Sequence, residues 1–317
     1  MGRKTRHAKV SGTRVSGSGG PAMLRAMIQT FLDKRRAYAR VLVQVGAALR
    51  AGDKLLVSAS LEAADLVRDI AAEAYRLGAL DVRVDWHDGE LERLRFAGGT
   101  REAALFVPPW AAEQAEHLIA DGYTRIGLRG DDPALLAGLD SGLIAERTRT
   151  QALLMQNVSA AISGHKVVWT LGAAATPAWA RNVYPDLPEA AAVERLWDDI
   201  FTVSRIHEPD PVVAWRAHTA RLERLTTYLT EQQFAAVHFQ NAEGTDLTVG
   251  LAEGHRWDGG AVQDAQGRES VPNLPTDEVF TAPHRERVSG VAVASKPLAV
   301  RGEVVRGIRM TSRMERL

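Results

Sequence analysis

The sequence predicts an α/β protein: an amino-terminal domain on a parallel sheet, followed by an incomplete, mostly antiparallel α+β domain. From Lys54 to Trp86 an apolar run, an amphipathic helical pattern and an alternating run follow one another within about 30 residues, the signature of a βαβ unit. Beyond Glu231 the hydrophobic period changes from helical to alternating. At 317 residues the chain exceeds what one small core absorbs, so two domains are expected, over 27–230 and 231–317, after a solvated basic tail over 1–26.

That tail carries Arg3, Lys4, Arg6, Lys9, Arg14 and Arg25 with no acid among them, interleaved with Ser and Gly, and lacks an apolar face. A start at Met23 or Met27 accounts for it better than a transit peptide does. Tyr38, Val41, Leu42, Val45 and Leu49 then recur at helical spacing, with Gly52 beyond as a stop signal. Lys54 to Ser58 reads as a buried strand. Leu66, Val67, Ile70 and Leu77 give the next helix its inward face, Gly78 ends it, and Asp81 to Trp86 alternates as a strand.

A helix over 110–121, a strand over 123–128, a longer helix over 143–163 and a strand over 166–171 continue the alternation. Val193, Leu196, Trp197, Ile200 and Phe201 form an apolar stripe, which places Trp197, like Trp179, in the core. Asp210 before Pro211 is an N-cap with proline at the first helical position, opening a helix that turns Trp215, Leu222, Leu225 and Leu229 inward. His218 among them reads as a packed histidine, because one imidazole alone holds no metal well.

Phe234 to Phe239 and Asp246 to Leu251, joined by a turn through Gly244, read as an antiparallel hairpin. Further strands are expected over 288–293 and 298–308. Between them lies Val271 to Arg287, where Pro272, Pro275 and Pro283 stiffen a stretch holding the adjacent acids Asp277 and Glu278. An exposed turn is the ordinary reading of such acids. With Asp246, Glu253 and His255 they are the metal-capable cluster of the second half, although spacing alone sets no distance between them.

Thirty-nine basic and 39 acidic residues leave no net field for a phosphate backbone or an anionic membrane, so neither nucleic acid nor membrane is expected as a partner. The absence of cysteine excludes disulfides, thiolate zinc sites and cysteine nucleophiles. No phosphate-binding loop, no G-x-G-x-x-G after a strand, no H-E-x-x-H and no G-x-S-x-G occurs; His207 and Glu208 run into Pro-Asp-Pro and read as linker.

The runs P-A-W-A-R-N-V-Y-P-D from Pro177, E-R-L-W-D-D-I-F from Glu194, D-P-V-V-A-W-R-A-H from Asp210, G-T-D-L-T-V-G-L-A-E-G-H-R-W from Gly244 and N-L-P-T-D-E-V-F-T-A-P-H-R-E-R-V from Asn273 resemble the thermophilic leucyl aminopeptidase family, the group of aminopeptidases T and S. The likeness runs from about Tyr38 to Met310. It implies a cytoplasmic, homodimeric metallo-exopeptidase acting on peptides, with two adjacent divalent ions, zinc, cobalt or manganese, in its carboxy-terminal domain. Paired cations of this kind polarise a scissile carbonyl and lower the pKa of a bridging water. The second acid of the family's P-T-[ED]-E motif is a metal ligand, which falls on Glu278; Asp277 stands where glutamate is common. Asp246, His255 and His284 belong to matching motifs and are read as structural.

Family members continue past the strand matching Gly307 to Met310 into a segment with a glutamate general base and further carboxylate and histidine ligands. This sequence turns into T-S-R-M-E-R-L. One carboxylate cannot hold two divalent ions, so no catalytic residue is assigned and the chain as given is expected to be inactive or nearly so. The competing reading is a non-enzymatic dimerisation or scaffold protein derived from the family. A nucleotide-binding α/β protein is a weaker third.

Overall fold

The structure, a computed structural model, describes residues 20–264, 267–300 and 303–312. Helix α1 (Gly20–Val41) continues through a π-helical turn, Leu42–Gly46, into strand β1 (Lys54–Ser60), and a single 3-10 turn leads to α2 (Ala64–Arg76) and β2 (Asp81–His87). Helices α3 (Gly89–Gly98), α4 (Arg101–Leu105) and α5 (Trp110–Ala120) precede β3 (Tyr123–Arg129). Helices α6 (Ser141–Leu154) and α7 (Gln156–Ser163) precede β4 (Trp169–Ala173). Helices α8 (Pro177–Val183), α9 (Glu189–Val203) and α10 (Pro211–Gln232) complete this half.

Strands β1 to β4 form a parallel sheet in the order β2-β1-β3-β4, as the βαβ pattern predicts. Strand β1 is central, and its Leu55, Leu56 and Val57 are all buried, as a strand covered on both faces requires. The main core lies where β1 meets the π-helical turn and α1, α2, α9 and α10; Tyr38, Leu42, Ile70, Phe201 and Trp215 fill it. Phe31, Trp197 and Phe201 make an aromatic cluster, with Trp197 stacked on Phe201 at 5.4 Å.

Tyr38 is fully enclosed and its hydroxyl accepts a hydrogen bond from the Ala173 amide at 2.8 Å. Burial pushes its pKa up from 10.0 to about 12, against the lowering effect of its hydrogen bonds to Ala173 and Ser204. In the unfolded chain the phenol ionises first. Its contribution to stability is therefore complete below pH 10 and is lost as pH rises toward 12, by on the order of 3 kcal/mol. Denaturant titrations of the wild type and Tyr38→Phe between pH 9 and 12 should show this loss in the wild type alone.

The antiparallel part follows α10 directly. Strands β5 (Ala236–Gln240) and β6 (Asp246–Leu251) form the expected hairpin. The short pair β7 (Val262–Gln263) and β8 (Glu269–Ser270) comes next, then the long β9 (Pro283–Val293), the small hairpin β10 (Leu298–Val300) with β11 (Glu303–Val305), and β12 (Arg309–Ser312). Four of these make a sheet in the order β12-β9-β6-β5.

Several local expectations shift. Residues 1–19 of the expected tail lie outside the described residues, but helix α1 already begins at Gly20, because P-A-M-L-R-A-M is a run of helix formers opened by proline. The first helix ends in the π-helical turn at Gly46 rather than running through Leu49 to a stop at Gly52 beyond it. The helix expected over 143–163 breaks at Met155. Helix α3 carries no apolar stripe in the sequence because none of its residues is buried, although Asp88 caps it through the Glu90 amide.

Candidate functional site

The acid-bearing stretch is anchored on the parallel sheet, far from it in sequence. The Leu171 amide donates to Pro272 O at 2.7 Å and the Leu274 amide to Leu171 O at 2.9 Å, so residues 272–274 run parallel to β4 beside its edge. The Thr170 hydroxyl donates to Val271 O at 2.7 Å, and the Val271 amide points at Val45 O and Gly46 O, carbonyls of the π-helical turn. Such a turn puts backbone carbonyls out of helical register, and here the second half of the chain takes them up. Val271 and Leu274 are buried members of the main core. Nearby, Arg268 grips Asp53 through two guanidinium nitrogens at 2.7 and 3.2 Å.

Gly46 makes this approach possible. A Cβ there would lie 2.7 Å from Thr170 Oγ1 and 2.8 Å from Leu274 Cδ1. Gly46→Ala must push both away and is expected to cost about 1–3 kcal/mol. Faster hydrogen exchange over residues 271–274 would show that the loss lies at this junction; unchanged exchange would refute the role given to Gly46.

Beyond the junction, Thr276 and Asp277 are held by a side-chain network. Arg205 Nη2 donates to His218 Nδ1 at 2.9 Å, so the ring carries its proton on Nε2, which faces Thr276 O at 2.8 Å and Asp277 Oδ1 at 3.0 Å. Arg205 also reaches Asp277 Oδ1 at 3.2 Å. Both side chains rest on Trp215, with His218 edge-on at 5.4 Å and the Arg205 guanidinium over the ring at 5.4 Å. His218 is buried, as its place on the inward face of α10 led one to expect; its partner Arg205 gave no sign in sequence.

Glu278 follows this clamp directly. Its backbone runs against Gly259, where a Cβ would meet Glu278 O at 2.6 Å, and Phe280 exchanges both backbone hydrogen bonds with Asp258. The carboxylate itself is exposed and, among the described residues, has neither a hydrogen bond nor an ion pair. The other metal-capable residues do not join it. Asp246 is engaged by His238 at 2.8 Å, and His284 accepts from the Glu286 amide at 3.3 Å. His255 is buried with Nδ1–H donating to Ala252 O, which leaves its Nε2 without a partner but also without a carboxylate beside it.

Among the described residues no group of three or more His, Asp or Glu lies close enough to hold a metal ion. These residues therefore do not by themselves fit a divalent ion.

A second acidic cluster lies at the carboxyl ends of β1 and β3, where the strand order reverses, the place at which open α/β sheets bind ligands. Burial first, then the charges of Asp131 and Asp88, pushes the Glu62 carboxyl up, while Arg181 opposes them. His87 meets Asp131 at 2.9 Å and Asn182 donates to Asp132 at 3.0 Å. Carboxylates crowded at this end repel phosphate, which speaks against the nucleotide reading.

Comparison with known proteins agrees with this architecture. Residues 31–314 match the thermophilic metalloprotease (M29) family. Aminopeptidase T of Thermus thermophilus is 43% identical over 270 residues, which cover 85% of this chain and 66% of that protein. Aminopeptidase 2 of Geobacillus stearothermophilus is 39% identical over 280 residues, 88% of this chain and 67% of its own. The solved structure of wild-type AmpT from Thermus thermophilus superposes with a TM-score of 0.83 at 40% identity, covering 90% of this chain and 70% of that one. The chain thus spans about two thirds of the length of the relatives it matches.

Proposed function

The chain belongs to the thermophilic metalloprotease (M29) family, and on that footing we propose that it carries the α/β portion of a metal-dependent aminopeptidase, which removes amino-terminal residues from peptides. The observation that supports this most is the match to aminopeptidase T over 85–90% of this chain at 40–43% identity. In this reading Glu278 is one ligand of a pair of zinc, cobalt or manganese ions, and the remaining ligands come from residues other than those described here. The exposed, unpartnered carboxylate on a clamped backbone suits a group waiting for such company. The enzyme acts in the cytoplasm as a homodimer, independent of nucleic acid and membrane. The balanced charge supports the former, and no helix among the described residues is long and apolar enough to cross a membrane.

One observation favours the alternative, a catalytically inactive dimerisation or scaffold protein: among the described residues no cluster of three or more His, Asp or Glu is arranged to hold an ion. A chimera separates the two. This chain, joined at Met310 to the portion of aminopeptidase T that has no counterpart here, should hydrolyse leucine p-nitroanilide in a metal-dependent way, and Glu278→Ala should abolish it. A folded, metal-loaded chimera without turnover would leave the scaffold reading standing.

A further inference from the structure

Three elements that pack on the main core meet around an open cleft of about 400 Å³: the end of α1 with the π-helical turn, helix α2, and the first turns of α10. That volume lies in the range of small-molecule sites. Its polar walls are Arg40, Gln44, Glu73 and Arg76, with Asp210 and Arg216 from α10. Both carboxylates are already engaged. Glu73 takes two hydrogen bonds from Arg76, at 2.6 and 2.7 Å, and a third from Gln44 at 2.7 Å. Asp210 accepts from the Val212 and Val213 amides at 3.0 and 3.2 Å, so the start of α10 is capped from within. Two cations are left over. On the same two helices Lys34, Arg35, Arg36, Arg68 and Arg76 each pair with an aspartate or glutamate. Arg40 does not: among the described residues its side chain has no hydrogen bond or ion pair, although its Nε is shut off from water. The exposed Arg216 side chain is likewise without either. A buried N–H with no acceptor has given up its hydration for nothing.

We infer that this cleft binds a phosphoryl oxyanion, free or carried on a small metabolite, held between Arg40 and Arg216. The guanidinium fork suits phosphate and carboxylate alike, so the choice turns on direction. Arg40 comes from α1 and Arg216 from α10, and an acceptor that serves both must present oxygens in more than one plane. A tetrahedral phosphoryl group does so, and a flat carboxylate does not. Its charge of about −1.5 to −2 at neutral pH also answers two free guanidiniums. Three arginines outnumber the two carboxylates of the lining, and those carboxylates are tied up in hydrogen bonds. Both arginines stand on firm ground, Arg40 between the buried Ala39 and Val41 and Arg216 next to the buried Trp215. A bound anion ties the end of α1 to the start of α10 and so adds its binding free energy to the stability of the parallel layer. Neither Glu278 nor a metal takes part.

The test titrates the full chain with inorganic phosphate in a calorimeter near neutral pH, with ionic strength held constant by sodium chloride. One site with a Kd at or below about 1 mM is expected. Phosphate at about 10 mM should then raise Tm by about 2–4 °C over the matched chloride buffer. Arg40→Gln and Arg216→Gln should each weaken binding at least about 10-fold. Arg216 is exposed and unpartnered, so circular dichroism of its variant should report an unaltered fold even if Arg40→Gln folds poorly. Arg224→Gln, exposed further along α10 and outside the cleft, should bind as the wild type does. Glycerol 3-phosphate separates the two sources. Binding at least about 10-fold tighter than phosphate assigns the site to a phosphorylated metabolite, and equal or weaker binding to the free anion. Absence of a saturable heat overturns the proposal, as does binding that survives Arg216→Gln. Acetate bound as tightly as phosphate overturns it too, by making the cleft a carboxylate site.

Discussion

Purified alone and given excess zinc, cobalt or manganese, the chain is expected to retain well below one ion per molecule after dialysis. Its hydrolysis of leucine p-nitroanilide should fall at least about 10⁴-fold short of aminopeptidase T under the same conditions. The physical reason is ligand number, since a stable divalent site needs several donors of fitting geometry around each cation. Glu278 presents one carboxylate, and its neighbour Asp277 is already drawn to Arg205 and His218. The bare Nε2 of His255 is solitary. Elemental analysis of the dialysed protein is the direct check. Near-stoichiometric metal, with turnover that disappears in Glu278→Ala, would mean that the described residues rearrange into a full site.

Trp215→Ala should be the most damaging single change to stability, at about 4 kcal/mol. Trp215 is completely buried, and its Nε1 donates to Ser204 O at 2.8 Å. Truncation opens a cavity, strands that carbonyl and removes the floor beneath His218 and Arg205 together. The damage should therefore reach Thr276 and Asp277 as faster exchange there. Trp215→Phe, which keeps most of the volume and loses the hydrogen bond, should cost about 1–2 kcal/mol. Denaturant midpoints of the two variants decide the matter, and a loss under 1 kcal/mol for the alanine would sink this account of the clamp.

The parallel layer was legible because β1 and α2 carry strong, opposite periodicities, and the β5–β6 hairpin because Leu247 and Val249 alternate across a turn at Gly244. Glu278 could be placed through the likeness of its motif to a family, and the acids around Pro275 stood out by composition. What composition could not reveal was contact across long separations. Nothing near Leu171 announces that residues 272–274 will lie beside it, and nothing near Ser204 announces that Arg205 will hold His218 and Asp277. Nor did spacing warn that Asp246 would turn to His238 instead of toward Glu278.

The docking of residues 271–274 on β4 and on the π-helical turn carries a kinetic consequence. Closing so long a loop is entropically costly until both docking surfaces exist, so the stretch around Glu278 acquires its shape only after the parallel layer has consolidated. During synthesis the amino-terminal half can settle first and then template the late-emerging acids. A pulse-labelling experiment should accordingly find the amides of Val271 and Leu274 among the last to be protected.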